Sequence, residues 1–449
     1  MRLWWLFLLL FLCPGVGDAV EQAAGTVLSL SLKHAVQLAV SSAGSARVQL
    51  SGEALKQAQA RSAQARAALL PNISSSLGYR NQTTNLRANG LDFDLQAAPG
   101  LSFSFPSLVG PYDVMDARIS GTQSIFDFSS IRRLQAARAG VSTAKSEIDN
   151  AEEQVAAQVA RLYLFAVRAD ADVEMAQSNI TLSQAVLLQA ENQKKAGTST
   201  GIEITRARVQ LANDRQRLLV AENARRSAHI QLLRAMNQQL DIELELTDKM
   251  GYAPVDDITL EQARALALAS RPDFQAQQER ENSARLSASA TKMERLPSLS
   301  FFGNYGSIGS GFDNSLPTRA YGITLNIPIF DGLHRDARRA ETASQYRAEK
   351  IRTNDLKEQI EMEIRLALDS LRSADEQVNV AREGLRLSEN ELAQAQRRFE
   401  AGVSFGLEVT DAQTRLERAR DNQVQALYNY NVARIDLEQA MGKARNSVQ

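Results

Sequence analysis

Along much of the chain a large apolar residue returns at every seventh position, with a small residue three places later. Leu134, Val141, Ile148, Val155 and Leu162 form one series, shadowed by Ala137, Ala144 and Ala151. Leu371, Val378, Leu385, Leu392 and Phe399 form a second, shadowed by Ala374, Ala381, Ser388 and Ala395. The small-residue series resumes at Ala221, Ala228 and Ala235, and again at Ala419, Ala426, Ala433 and Ala440. This is coiled-coil spacing, and alanine at one seam position lets helices approach closely. It predicts long helices over 129–195, 202–238, 333–400 and 407–442. Neither 129–195 nor 333–400 contains a proline. At 1.5 Å per residue each would run on the order of 100 Å.

Four short sections follow a different rule. Ile73, Ser75, Leu77 and Tyr79 alternate with Ser74, Ser76, Gly78 and Arg80, and Met115, Ala117 and Ile119 alternate with Asp116, Arg118 and Ser120. Leu299, Phe301, Gly303 and Tyr305 alternate with Ser300, Phe302 and Asn304, while Tyr321, Ile323, Leu325, Ile327 and Ile329 alternate with Gly322, Thr324, Asn326 and Pro328. Period-two strands with one apolar and one polar face, about 9–11 residues long, carry the signature of a membrane β-barrel. The predicted strands lie at about 71–83, 113–126, 297–309 and 318–330. The intervening polar stretches 84–112 and 310–317 suit hairpin tips outside the cell.

The two patterns occur twice in the same order. Leu70-Pro71 is answered by Leu296-Pro297, Ile125-Phe126-Asp127 by Ile329-Phe330-Asp331, and Ala196-Gly197 by Ala401-Gly402. The chain therefore divides into a first repeat over 20–238, an acidic link over 239–257, a second repeat over 258–443 and a tail over 444–449. Four strands cannot close a barrel, and open sheet edges do not survive in lipid. A dimer would supply eight strands and no lumen. A trimer would supply twelve strands and twelve long helices, and the trimer is the expected state.

Composition narrows the picture. Formal net charge is −1, so no global basic field attracts nucleic acid. Residues 1–19 read as a secretory signal: Arg2 precedes the apolar run Leu3–Leu12, and Gly17-Asp18-Ala19 offers small residues for cleavage. Cys13 is the sole cysteine and leaves with that segment, and no later segment reads as a transmembrane helix.

Taken together, the duplication, the Leu-Pro steps, the Ile329-Phe330-Asp331-Gly332 exit and the turn-plus-helix from Ala401-Gly402 to Asp411-Ala412 resemble the TolC-like outer-membrane efflux family. The resemblance implies a mainly α fold with a membrane β-barrel section, the barrel continuous with a periplasmic helical tunnel. It also implies a homotrimer in outer-membrane lipid, served by a periplasmic adaptor and an inner-membrane pump of RND or ABC type. On that footing the turns containing Gly197, Thr198 and Gly201, and Gly402, Val403 and Gly406, are adaptor-docking tips. Glu203, Glu408 and Asp411, just past those turns, are the candidate periplasmic entrance and gate, and the positions of Glu408 and Asp411 match the family's entrance acids. In a trimer each would form a ring of three that sets cation preference. Acidic residues in a first turn also stabilise a helix start without any further role. Where some members carry an arginine that latches the closed state, this chain has Ser404, so its latch must differ.

Chemistry finds little footing. Both Gly-bearing turns match G-x-S-x-G, but that nucleophile needs a strand-to-helix turn with a histidine nearby. Here both turns join helix to helix, and His34, His229 and His334 are scattered. Gly303 to Gly311 superficially resembles a phosphate loop yet leads into another strand. No metal-ligand spacing and no cofactor motif occur. The expectation is a non-enzymatic export duct for small molecules. A type I protein-secretion duct and a non-conducting surface stalk are the alternatives.

Overall fold

A computed structural model describes residues 27–90, 94–96, 102–104, 107–197, 200–254, 258–401, 403–404 and 406–447. The expected signal segment 1–19, Thr198 and Gly402 lie outside the described residues. In chain order the elements are β1 (Val27–Leu30), α1 (Leu32–Val40), α2 (Ala46–Ala67), β2 (Asn72–Asn85), β3 (Asp94–Gln96), β4 (Ser102–Ser104), β5 (Leu108–Phe126), α3 (Phe128–Lys195) and α4 (Gly201–Ala235). There follow β6 (Glu243–Leu246), α5 (Leu260–Ser270), α6 (Pro272–Met293), β7 (Ser298–Gly309), β8 (Ser315–Asn326), α7 (His334–Glu400), α8 (Gly406–Ala440) and the short α9 (Ala444–Ser447). α3 and α7 hold 68 and 67 residues. No described helix is long and apolar enough to cross a membrane.

The chain divides into two compact units. The first comprises residues 1–39, 159–251 and 381–428, and the second 40–158, 252–380 and 429–449. In the first unit β1 and β6 pair in parallel, with Leu30 opposite Leu246. The strand β6 falls inside what patterning gave as a plain acidic link. Its partner stands over two hundred residues earlier, beyond the reach of local periodicity. The buried Tyr163 hydroxyl lies 3.0 Å from the Leu30 carbonyl and 2.9 Å from Asp248 Oδ2. The same Asp248 oxygen accepts the Leu32 amide at 2.7 Å and so satisfies an orphan donor at the start of α1. Burial and the Asp248 carboxylate together push the Tyr163 phenol up from its ordinary range.

In the second unit the strands form an antiparallel sheet of order β2-β5-β7-β8. Register places Leu77 opposite Ala117, Ile119 opposite Tyr305, and Phe301 opposite Ile323. Directly paired residues share a face, so Ile73, Leu77, Tyr79, Ile119, Tyr305, Tyr321 and Leu325 lie on one side of the sheet. Most of that side is exposed, Tyr79 at 69% and Tyr321 at 77%, although Met115 opposite Tyr79 is buried, and Arg319 interrupts it toward the β7–β8 turn. The opposite side carries Ser74, Ser76, Ser120, Asn304 and Thr324, with Arg118 paired to Asp116 at 2.7 Å. β8 stops at Asn326, so Ile327 and Ile329 lie past its end; Pro328 has no N–H to continue the ladder.

The helical part of this unit packs Phe274, Ile360, Ile364, Leu368, Leu437 and Ala440 into one core. Arg271 sits beside it, 10% exposed, bonded to Asp273 at 2.7 Å and Glu363 at 2.5 Å. These bonds hold its guanidinium above the usual range despite the burial. Glu153, buried on α3, accepts the amides of Ala444 and Arg445 and so receives the first turn of α9. The heptad alanines Ala144, Ala151, Ala433 and Ala440 of this unit are buried.

Candidate functional site

The twin Gly-bearing turns lie in the first unit, between α3 and α4 and between α7 and α8. The first begins with Gly197 at φ 76°, a left-handed conformation that suits glycine and closes a helix. Its amide donates to the Lys194 carbonyl at 3.0 Å. α4 then starts at Gly201 with Thr200 as N-cap, but the threonine hydroxyl makes no capping bond. At the second turn the Val403 amide reaches back to the Arg398 carbonyl at 3.0 Å, a six-to-one bond that satisfies one of the last carbonyls of α7. Val403 itself is 68% exposed.

Below the second turn, Leu392, Ala395 and Phe399 of α7 close on Val409, Ala412 and Leu416 of α8, with Leu182 and Val186 of α3 packed against them. This is the seam that the heptad spacing predicted. It fixes where the first residues of α8 sit.

The two turns meet through one side chain. A Cβ placed on Gly406 would lie 2.7 Å from Glu203 Oε2 and 3.6 Å from the Phe399 ring. The Glu203 carboxylate therefore fills the space that any other residue at 406 would need. Its other oxygen accepts from Arg206 at 2.9 Å. Glu408 pairs with Arg398 at 2.9 Å, both partners substantially exposed. Asp411 is exposed, with no partner among the described residues. The three candidate acids thus do not form one cluster in a single chain. One is packed between the turns, one is paired, and one is free.

Sequence reading did not single out Arg206 or Arg398. The first was accessible, since a carboxylate and an arginine three apart on a helix face each other. The second was not, because Arg398 meets Glu408 across a turn rather than along a helix. Ser404 is partly buried and its hydroxyl has no hydrogen-bond partner among the described residues. Among those residues no three acidic or histidine side chains are grouped so as to hold a metal.

A family model described as "Outer membrane efflux protein" matches residues 42–238 and 263–443. The chain is 27% identical over 394 residues to the pyoverdine export outer membrane protein OpmQ of Pseudomonas putida, covering 86% of this chain and 81% of that protein. It is 24% identical over 337 residues to the alkaline protease secretion protein AprF of Pseudomonas aeruginosa, covering 72% and 68%. Among solved structures, the outer membrane protein VceC of Vibrio cholerae superposes with a TM-score of 0.74 at 18% identity, covering 92% of this chain and 96% of that one.

Proposed function

Because the chain belongs to the outer membrane efflux protein family, an outer-membrane family of channels rather than enzymes, we propose that three copies assemble into a duct through which small molecules leave the cell. Each copy gives four strands to a twelve-stranded barrel. The α3–α4 and α7–α8 hairpins give twelve long helices to a helical tunnel.

The observation that carries the reading is the four-stranded sheet. It has a largely exposed apolar face, a reverse face that is mostly polar apart from Phe302, Ile308 and Leu316, and two edges, β2 and β8, that each pair with one strand only among the described residues. Lipid admits no open edge, so β2 of one copy must meet β8 of another. The helices support the same closure. Ile202, Val209 and Ile230 lie at heptad spacing on the exposed side of α4, and Leu366, Val380 and Leu387 do so on α7. α4 carries seven arginines against three carboxylates. Between Glu358 and Glu391, α7 carries nine carboxylates against four arginines. Opposite charge beside matched apolar stripes favours helix pairing between copies.

The turns Gly197–Gly201 and Gly402–Gly406 are the proposed docking points for a periplasmic adaptor, and an RND or ABC pump in the inner membrane supplies the energy. Cross-linking and native mass measurement of detergent-extracted protein should give three copies. A stable water-soluble monomer with full helix content would overturn the reading. The likeness to AprF favours protein secretion as a second reading. A strain lacking this protein that keeps its tolerance of small toxic compounds but loses a secreted protein would favour it.

A further inference from the structure

The first unit contains a polar cavity of about 540 Å³ between α3, α4 and α8, a size typical of small-molecule sites. We propose that it binds a small organic cation with N–H donors, a primary ammonium or a guanidinium. The proposal goes beyond export and does not depend on it, since it concerns binding to the isolated protein.

The walls decide the chemistry. Asp172, Asp214, Glu417 and Asp421 line the cavity together with Arg168, Arg217 and Arg418, so four carboxylates face three guanidiniums and one negative charge is left over. Asp214 is already spoken for. It is fully buried, accepts from the Ser183 hydroxyl and from Gln210 at 3.1 Å, and lies 3.7 Å from Arg217. Arg168 is 3.8 Å from Asp172, too far for a hydrogen bond, and stacks over the Tyr428 ring at 5.3 Å.

Glu417 is half used. Its Oε2 takes Arg217 at 2.5 Å, its side chain is only 6% exposed, and its Oε1 has no hydrogen-bond partner among the described residues. Asn179 Oδ1, across on α3, is likewise buried and unpartnered. A buried acceptor left unsatisfied is costly, and the two residues that carry these acceptors both line one cavity with a surplus negative charge. A ligand that is positive and donates through N–H meets both demands. A bare metal does not, since no three carboxylates or histidines among the described residues are grouped to ligate one.

Burial also holds Asp172, Glu417 and Asp421 above the ordinary carboxylate range, outweighing the nearby arginines. That agrees with a site short of positive charge.

The test is calorimetric titration of the full-length protein in detergent with agmatine, which carries both an ammonium and a guanidinium. Tetramethylammonium, a cation without N–H, serves as competitor. Saturable binding of one agmatine per chain is expected, with no displacement by tetramethylammonium. Affinity should fall at least tenfold in Glu417→Gln and in Asn179→Leu. The second variant breaks no ion pair and so reads the site even if the first disturbs folding. Absence of saturable heat, equal binding of tetramethylammonium, or affinity unchanged in Asn179→Leu would each overturn the proposal and leave the cavity to water.

Discussion

Glu203, at the start of α4, rests its carboxylate against the bare Cα of Gly406, at the start of α8. One turn is thereby seated against the other by a charged side chain that is itself mostly buried, 17% exposed, and held by Arg206. The contact requires glycine at 406 because of what stands next to it. No backbone constraint demands it, since Gly406 is not among the positive-φ glycines of the described residues.

This arrangement makes the effect of Gly406→Ala depend on residue 203. Alanine is the better helix former by up to about 1 kcal/mol, less at a helix end. In the native background that gain is offset, because Glu203 must swing away and loosen its bond to Arg206. In a Glu203→Ala background the obstacle is gone and Gly406→Ala should stabilise. Thermal unfolding of the four proteins should give a coupling of about 0.5–1 kcal/mol, within the range for residues in contact. Equal effects in both backgrounds would mean that the two turns are energetically independent.

Glu153 gives a prediction about pH. Burial raises its folded-state pKa, more than the Ala444 and Arg445 amides and the Arg445 guanidinium lower it, and Glu438 adds repulsion. A carboxyl with a raised folded pKa binds more protons in the native state than in the unfolded one. Its contribution is therefore full below the unfolded value of about 4.3 and is lost as pH rises through the folded value. Relative to Glu153→Gln, the native protein should gain stability as pH is lowered from 7 toward 5. A constant difference in melting temperature across that range would show that Glu153 ionises as it does in water.

Adaptor docking at the turns is tested by charge and bulk. Gly402→Arg and Gly197→Arg should abolish export while trimer assembly, membrane insertion and helix content stay intact. At Gly197 the left-handed backbone resists any other residue, so a local rearrangement must be excluded by the helix signal before the result is read. Export that persists at full rate in Gly402→Arg places docking elsewhere.

Much of the fold was legible because its rules are local. The seven-residue return of Val378, Leu392 and Phe399 and the two-residue alternation of Leu77 and Tyr79 are properties of neighbouring residues, and each names a face. What escaped depends on residues far apart. The pairing of Val27–Leu30 with Glu243–Leu246 joins two segments too short to announce themselves. The charged residues Asp214 and Glu417 interrupt helices whose other buried positions are almost all apolar, Gln413 on α8 being the exception, but nothing in spacing says that they share a cavity. For the site, the turns and their carboxylates were visible in sequence. Their differing states, Glu203 packed, Glu408 paired and Asp411 free, follow from partners on other elements.

That difference in state shapes the last prediction, which rests on the proposed trimer. Three copies of Asp411 near a threefold axis would repel one another, and nothing described in the single chain compensates them. Glu408 already has Arg398, though an exposed pair of this kind contributes no more than about 1 kcal/mol. Hypothesis: a divalent cation is drawn to the Asp411 ring and blocks the entrance, with Glu408 contributing less because its charge is partly met. Single-channel conductance with added divalent cation should then show block in the native protein, strong relief in Asp411→Asn and weaker relief in Glu408→Gln. Arg398→Ala should deepen the block, since it frees the Glu408 carboxylate for the cation. The order of the three responses carries the test. Relief by Glu408→Gln as large as that by Asp411→Asn would mean that the Arg398 pair does not persist in the assembled channel. Block unchanged in the Asp411→Asn, Glu408→Gln double variant would reduce both carboxylates to helix-start residues and move the entrance to another level of the tube.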